Sequence, residues 1–194
     1  MTSVRVESDD RGVATLTVDH PPINLVTMEV FFELGAAIEA LANDKSVRAV
    51  VIRSANPEWF LAHFDVEAIQ QFPREQPEPT AIGPYDVMCE TLRTMPKPTI
   101  AVIAGRVGGG GSELALGCDF LVASDRARFA DTHARVGVQP GWGMSVLLPQ
   151  AVGTRRARQM SLTGNFVDAE LALDWGLVNE VVAHKDLLPR CLSL

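Results

Sequence analysis

The sequence has few cysteines and no long hydrophobic run. Its three cysteines, Cys89, Cys118 and Cys191, are far apart, and neither a CxxC pair nor a histidine cluster provides the spacing of metal ligands. We therefore expect neither a disulfide framework nor a metal site, and a reducing cytoplasm fits this cysteine usage. No apolar run approaches the roughly 18 residues of a membrane helix, and no signal-peptide pattern is present. The expected protein is cytoplasmic and has no membrane partner.

An excess of positive charge is also lacking. The chain carries 17 Lys and Arg residues against 24 Asp and Glu residues, a formal net charge of −7. This balance argues against nucleic acid or an anionic membrane surface as the main partner. A small anionic ligand remains compatible with this net charge, because local arginines and not the total charge decide whether such a ligand binds. With 194 residues, 47% of them hydrophobic, the chain can bury a full core as one domain or as one domain with an appendage.

Hydrophobic patterning predicts a mixed α/β fold. Alternation in VRVE (4–7) and ATLTV (14–18) predicts an antiparallel hairpin. Buried parallel strands are predicted at three continuous apolar runs: AVVI (49–52), TIAVI (99–103) and FLVA (120–123).

A helix is predicted over residues 28–43, with Thr27 as its N-cap. Its expected apolar stripe consists of Met28, Phe31, Phe32, Ile38, Leu41 and Ala42, and its outward face of Glu29, Glu33 and Glu39. Residues 56–84 are rich in proline and charge, which indicates a loop-rich surface segment around a short helix in FDVEAIQQ. The tryptophans Trp59, Trp142 and Trp175 are scattered singly and are expected to fill core or interface.

The stretch AGRVGGGGSELALG (104–117) places four consecutive glycines between an apolar run and a short segment that carries Glu113. The glycines match neither the phosphate-binding P-loop nor the GxGxxG spacing of dinucleotide sites. Two interpretations remain open: a tightly packed strand-to-helix crossover, or a loop whose N–H groups receive a carbonyl oxygen that becomes negative during a reaction. In the first interpretation, Glu113 would stabilise the start of the helix through the helix dipole. In the second, it would move a proton beside the polarised carbonyl.

Serine hydrolase chemistry is disfavoured. A nucleophile elbow reads GxSxG, whereas Ser112 lies in GGSEL and Ser145 in GMSVL.

Four segments, in this order and at these intervals, resemble the enoyl-CoA hydratase/isomerase (crotonase) superfamily, and HPPINLVTMEV near the start extends the resemblance over nearly the whole chain. The segments are FLAHFDVEAI (60–69), PKPTIAVIAGRVGGGGSELALGCDFLVAS (96–124), ARFADTHARVGVQPGWGMSVLLPQAVG (127–153) and LTGNFVDAELALDWGLVNEVV (162–182). The resemblance implies a spiral of ββα units that binds coenzyme A thioesters, with coenzyme A as part of the substrate and no separate cofactor. It also implies a homotrimer or a dimer of trimers.

The resemblance assigns roles to individual residues. The two oxyanion-hole N–H groups fall on Phe64 and Gly110, although Phe64 replaces the small residue that the family favours. Glu113 matches one of two catalytic glutamates of the hydratases. The substrate-binding positions fall on Leu25, Ala62, Asp65 and Val66.

His133 occupies the place of the second glutamate. As a neutral imidazole with an ordinary pKa of about 6.5, it would act as acid or base beside Glu113 but would not supply a second negative charge. The alternative is a loop histidine that is hydrogen-bonded to Asp131 or to solvent.

The end of the sequence is a second departure. Family members continue through C-terminal helices, whereas this sequence ends at LPRCLSL. We therefore expect a crotonase-like core over residues 1–183, with the start of a truncated helical region at 184–194, as a fragment or as a protein without that lid.

Three functions follow from these residues. The first is hydration of a 2-enoyl-CoA to a 3-hydroxyacyl-CoA, or the reverse dehydration, with Glu113 as acid/base and His133 as auxiliary. The second keeps the oxyanion loop but performs double-bond isomerisation or thioester hydrolysis. The third is a non-catalytic acyl-CoA-binding subunit.

Overall fold

The computed structural model describes residues 2–70 and 84–194. The strands of this part of the chain are β1 (Val4–Ser8), β2 (Val13–Val18), β3 (Ala49–Ser54), β4 (Thr99–Ile103), β5 (Arg106–Gly108), β6 (Phe120–Ser124), β7 (Arg128–Ala130), β8 (Val167–Asp168) and β9 (Glu180–Val182). They form a six-stranded sheet in the order β1-β2-β3-β4-β6-β9 and a three-stranded sheet in the order β5-β7-β8.

The helices of the described residues are α1 (Met28–Asn43), α2 (Val66–Gln70), α3 (Pro84–Thr94), α4 (Gly110–Leu116), α5 (His133–Val136), α6 (Met144–Val152), α7 (Thr154–Thr163), α8 (Ala169–Asp174) and α9 (Leu187–Cys191), with a 3₁₀ turn at His184–Asp186. The described residues contain no helix of the length and apolarity needed to span a bilayer.

The predicted hairpin and parallel core are confirmed. β1 pairs antiparallel with β2, and the pairs β2/β3, β3/β4, β4/β6 and β6/β9 are parallel. One register row crosses four strands through Leu16, Ile52, Ala101 and Leu121, all buried in the main hydrophobic core. Strands that are covered on both faces have no solvent-exposed face, and this explains their continuous apolar sequences.

The second face of the large sheet is covered by the last described helix. Val51, Val102 and Val122 alternate with the row above and pack in a separate cluster with Leu187 and Cys191 of α9. Residues 184–194 therefore contribute to the core of this structure.

The predicted helix at 28–43 is confirmed, and the Thr27 side chain accepts a hydrogen bond from Val30 N–H at 3.3 Å. Its apolar stripe was wrong at one position, because Phe32 is 54% exposed whereas Leu34 is buried. Glu33 does not face only solvent: its Oε2 accepts hydrogen bonds from the backbone N–H groups of Ser3 and Val4 and fixes the start of β1.

The proline-rich segment was predicted as loop around one short helix. The described part contains that helix as α2, and residues 71–83 of the predicted loop lie outside the described residues.

A buried asparagine links the loop after β2 to the rest of the core. Asn24 is fully buried and has a left-handed backbone with φ 53°. Its Oδ1 accepts from His20 N–H at 2.6 Å, and its Nδ2 lies 2.6 Å from Ser54 Oγ. The same nitrogen is 3.2 Å from the carbonyl oxygens of Val18 and Phe60. One side chain therefore satisfies polar groups from three segments that would otherwise be buried without partners.

We predict that Asn24→Ala lowers the free energy of unfolding by about 3 kcal/mol, because buried donors and acceptors lose their partner and alanine is strained at this φ. Asn24→Gly is the matched control: it removes the same hydrogen bonds but tolerates the backbone, so it is expected to be less destabilising by up to about 1 kcal/mol. Urea unfolding measures both values. Wild-type stability in Asn24→Ala would contradict the structural role of this residue.

Candidate active site

Parallel pairing of two short strands assembles the candidate site. Gly108 at the end of β5 lies opposite Ala130 at the end of β7. The residues that follow these strands, Gly110 on one side and His133 on the other, therefore emerge at the same edge. Val107, Phe129 and Ala130 of these strands are buried, so this edge rests on a packed base.

The glycine run solves two steric problems between β5 and α4. Gly109 has φ +49°, and a Cβ there would lie 3.0 Å from Cβ of His63. At Gly111 a Cβ would lie only 2.2 Å from the carbonyl oxygen of Leu61, which is closer than any real Cβ contact. Alanine at either position would force the backbone to move. The packing interpretation of the run is thus correct for these two glycines.

Gly110 has a different property. Its N–H lies in the first turn of α4, where amides have no intrahelical acceptor. Within residues 2–70 and 84–194, no hydrogen bond has this N–H as donor. Gly110 lines a cavity of about 260 Å³, which we call the smaller cavity. The amide is thus available to donate a hydrogen bond to a ligand oxygen.

A second segment forms the opposite wall of the smaller cavity. Ala62 N–H donates to Asn24 O at 3.1 Å, Val26 N–H to His63 O at 3.0 Å, and Asp65 N–H to Val26 O at 2.9 Å. These bonds fix the chain on both sides of Phe64.

Five of the eight residues assigned to the site from the sequence line the smaller cavity: Ala62, Phe64, Val66, Gly110 and His133. Glu113 lines a neighbouring cavity, described below. Leu25 and Asp65 are among the lining residues of neither cavity. Asp65 instead accepts a hydrogen bond from Glu67 N–H at 3.0 Å, at the start of α2.

Glu113 is held by backbone amides that the sequence analysis did not single out. The residue is only 3% exposed. Its Oε1 accepts from Trp142 N–H at 2.7 Å and from Met144 N–H at 3.3 Å. Its Oε2 lies 3.5 Å from Nε2 of His133. One oxygen is thus fixed by main-chain donors, and the other faces the histidine. Gly141 and Gly143, which flank Trp142, are the sequence signal of such a turn.

His133 lies between two carboxylates. Its Nδ1 is 2.7 Å from Oδ1 of Asp131, the contact named in the alternative interpretation of this histidine, and its Nε2 faces Glu113. Burial alone lowers the pKa of His133, but the hydrogen bonds and charges of Asp131 and Glu113 outweigh it and raise the pKa to about 9. Asp131 and Glu113 therefore favour the cationic form of His133 at neutral pH, whereas the sequence analysis considered a neutral imidazole.

Asp131 is almost completely buried beside this cation. Burial would raise its pKa, but hydrogen bonds from the His133 side chain, Ser161 and the His133 backbone N–H keep the pKa below its ordinary value. Asp131 is thus a buried carboxylate whose charge is balanced by the imidazolium.

A larger cavity of about 720 Å³ lies on the other side of Glu113 and Trp142. The two cavities share none of their lining residues in the described part of the chain. Within the described residues, no group of histidine, cysteine, aspartate and glutamate side chains is arranged to hold a metal ion.

Comparison with known proteins places this geometry in a family. The sequence profile of the family described as enoyl-CoA hydratase/isomerase matches residues 8–194. A probable peroxisomal enoyl-CoA hydratase 1 of Arabidopsis thaliana is 35% identical over 98% of this chain and 71% of its own length. The carnitinyl-CoA dehydratase of Escherichia coli strain K12 is 33% identical over 94% of this chain and 69% of its own length.

Solved structures agree with the sequence comparisons. The enoyl-CoA hydratase from Mycobacterium tuberculosis H37Rv superimposes with a TM-score of 0.83 at 40% identity, covering 98% of this chain and 79% of that one. Pseudomonas aeruginosa DspI superimposes with a TM-score of 0.88 at 31% identity, covering 100% of this chain and 73% of that one. The resemblance found in the sequence motifs is confirmed, and so is the crotonase-like α/β fold. The chain belongs to the enoyl-CoA hydratase/isomerase family, within the crotonase superfamily.

Proposed function

We propose that this protein adds water to a 2-enoyl-CoA thioester to give a 3-hydroxyacyl-CoA, or catalyses the reverse dehydration. Coenzyme A is part of the substrate in this proposal, and no separate cofactor takes part. The observation that carries it is the contact of Glu113 with His133, 3.5 Å apart, at the edge where Gly110 lines the smaller cavity.

The thioester oxygen is bound first. We place it at Gly110 N–H, with Phe64 N–H as the second donor that the family resemblance suggests. Addition to the β-carbon moves an electron pair onto this oxygen and forms an enolate. Preorganised amide donors stabilise such an oxyanion, at about 3 kcal/mol for each donor.

Proton transfer then follows from the two facing side chains. A water held by Oε2 of Glu113 and Nε2 of His133 attacks the β-carbon, and its proton passes to Glu113. When the enolate collapses, the α-carbon takes a proton from the His133 cation. Protonated Glu113 returns this proton to His133 across the contact between Oε2 and Nε2, and the starting state is restored. Asp131 acts as a positioning residue, because it orients the imidazole and favours its cationic form.

Two relatives support this reaction class. One relative is described as a probable enoyl-CoA hydratase and another as a carnitinyl-CoA dehydratase, so they represent addition and removal of water on CoA thioesters. His133 in place of the second glutamate is the feature that distinguishes the proposed mechanism from one that uses two carboxylates.

We predict that the wild-type protein hydrates 2-butenoyl-CoA and that Glu113→Gln lowers kcat by about 10²- to 10⁴-fold, because the amide does not accept the proton of water. The glutamine carbonyl can still accept from the Trp142 and Met144 amides, so the fold should be retained. Loss of absorbance of the conjugated thioester measures the rate. Glu29→Gln, an exposed change on α1, is the matched control.

Mass spectrometry of the product separates this function from the alternatives. Hydration gives a product heavier by one water, isomerisation leaves the mass unchanged, and hydrolysis releases free coenzyme A. Full activity of Glu113→Gln would remove this residue from the mechanism. Tight binding of CoA esters without any product would indicate a binding subunit.

The pH dependence tests the role of His133. Because its pKa is raised to about 9, the cation is present below this pH, and we predict that kcat/KM falls as the pH rises through about 9. Asp131→Asn keeps an acceptor but removes the charge that favours the cation, so the alkaline limb should move to lower pH by about 1 to 3 units. Initial rates over a pH series measure the shift.

Asp125→Asn is the control for the pH experiment, because Asp125 accepts a hydrogen bond from the backbone N–H of His184 and not from an imidazole. In this variant, the fall of kcat/KM at high pH should coincide with that of the wild type. An unshifted limb in Asp131→Asn would show that Asp131 does not control the protonation of His133.

The proposal extends to assembly and compartment. Leu162 of α7 is 79% exposed, and Val136 of α5 is more than half exposed. Because α7 contacts α5, these apolar side chains belong to neighbouring helices and support burial between subunits of a homotrimer or a dimer of trimers. The unpaired thiols of Cys89, Cys118 and Cys191 support a reducing cytoplasm.

We predict that light scattering after gel filtration gives the mass of three or six chains, and that Leu162→Glu reduces this mass because a charge would be buried at the contact. A monomeric wild-type protein would contradict the proposed assembly. Leu194→Glu, at a second exposed leucine, is a control for added charge alone.

A further inference from the structure

The wall between the two cavities consists of two contacts. In one, Glu113 of the larger cavity faces His133 of the smaller cavity. In the other, Trp142 of the larger cavity packs against Gly110 and Phe64 of the smaller cavity. Both contacts adjoin the position proposed for the thioester, so an acyl group bound there would lie beside this wall.

The Trp142 indole forms the apolar part of the wall. A Cβ built on Gly110 would lie 3.0 Å from Cζ3 of Trp142 and 3.5 Å from Cη2, so the six-membered ring lies directly over this glycine. The indole also packs edge-on against the Phe64 ring, with centroids 5.7 Å apart, and lies 5.5 Å from the Phe31 ring. Aromatic neighbours on two sides hold the ring in place.

The backbone of Trp142 has a separate task. Its N–H donates to Oε1 of Glu113 at 2.7 Å. A change of the Trp142 side chain leaves this amide in the chain, whereas the wall itself is made of side-chain atoms. Mutation of the Trp142 side chain therefore alters the wall and leaves the hydrogen bond from its backbone N–H to Glu113 in place.

The space behind the indole is suited to an acyl tail. Leu114, Val146 and Leu147 line the larger cavity beside Trp142. Its volume of about 720 Å³ exceeds the 260 Å³ of the smaller cavity. An acyl chain that passed the indole would thus find apolar surface and room.

We propose that Trp142 determines acyl-chain length: its indole closes the smaller cavity against the larger one, so that short acyl groups fit beside Gly110 and long ones do not. This inference rests on the proposed function, because it assumes that the substrate is an acyl-CoA thioester. It predicts that this protein prefers 2-enoyl-CoA substrates with short acyl groups over those with long ones.

The test compares 2-butenoyl-CoA with 2-decenoyl-CoA. Wild-type kcat/KM should be higher for the four-carbon substrate. Trp142→Ala joins the two cavities, and we predict that the ratio of kcat/KM for the ten-carbon over the four-carbon substrate rises by at least about 10-fold, since one methylene in an apolar pocket already changes this quantity by about 10-fold or more. Trp142→Phe, which retains a ring in the aromatic cluster, should show a smaller rise.

Trp175→Ala is the matched control for loss of a tryptophan. The Trp175 ring packs beneath the guanidinium of Arg156, and Trp175 lines neither cavity. This variant should keep the wild-type ratio. Circular dichroism melting establishes that each variant is folded, and Trp142→Phe serves as the test variant if Trp142→Ala does not fold.

Two results would overturn the inference. One is an unchanged ratio in folded Trp142 variants of an active enzyme, and the other is a wild type that already prefers 2-decenoyl-CoA. Failure of the proposed function has a different signature, which is absence of turnover on every enoyl-CoA. In that case calorimetry with butyryl-CoA and decanoyl-CoA still tests the wall, because Trp142→Ala should strengthen binding of decanoyl-CoA only. Failure of both ligands to bind would overturn the function and the inference together.

Discussion

The site depends on one electrostatic arrangement, in which the His133 cation lies between the buried carboxylates of Asp131 and Glu113. In the proposed reaction the net charge of these groups and the substrate stays constant. As Glu113 gains the proton of water, the thioester oxygen gains one negative charge, and donation by His133 removes that charge again. A buried site is well suited to such a sequence, since moving a charge over a short distance costs far less there than creating one.

The fold supports this arrangement with main-chain contacts. The parallel pairing of β5 with β7 brings the glycine run beside the loop that carries Asp131 and His133. Gly111 permits α4 to start against the Leu61 carbonyl, so Glu113 is carried on a helix pressed against its neighbour. The Trp142 and Met144 amides then fix one carboxylate oxygen. Backbone contacts thus define the positions of the groups proposed to react, as preorganisation requires.

Local sequence patterns predicted most of the fold, because burial on both faces makes parallel strands uniformly apolar, as in TIAVI of β4. The apolar stripe of α1 was wrong at Phe32 because periodicity does not define the edge of a buried face. In the site, the sequence allowed a contact between Asp131 and His133 as one alternative, because the two residues are only two positions apart. The protonation state of His133 was not predictable, because it depends on Glu113, which tertiary packing brings near.

Trp142 was assigned only to core or interface for the same reason, since its contacts with Gly110 and Phe31 exist only in the folded chain. In the structure, Trp142 lines the larger cavity, and its backbone amide donates a hydrogen bond to Glu113. Under the proposed roles, the side chain of this residue determines which acyl groups are accepted, and its backbone amide holds the group that transfers the proton. An exchange of this one side chain would then change the acyl groups that the protein accepts and leave the groups proposed for proton transfer unaltered.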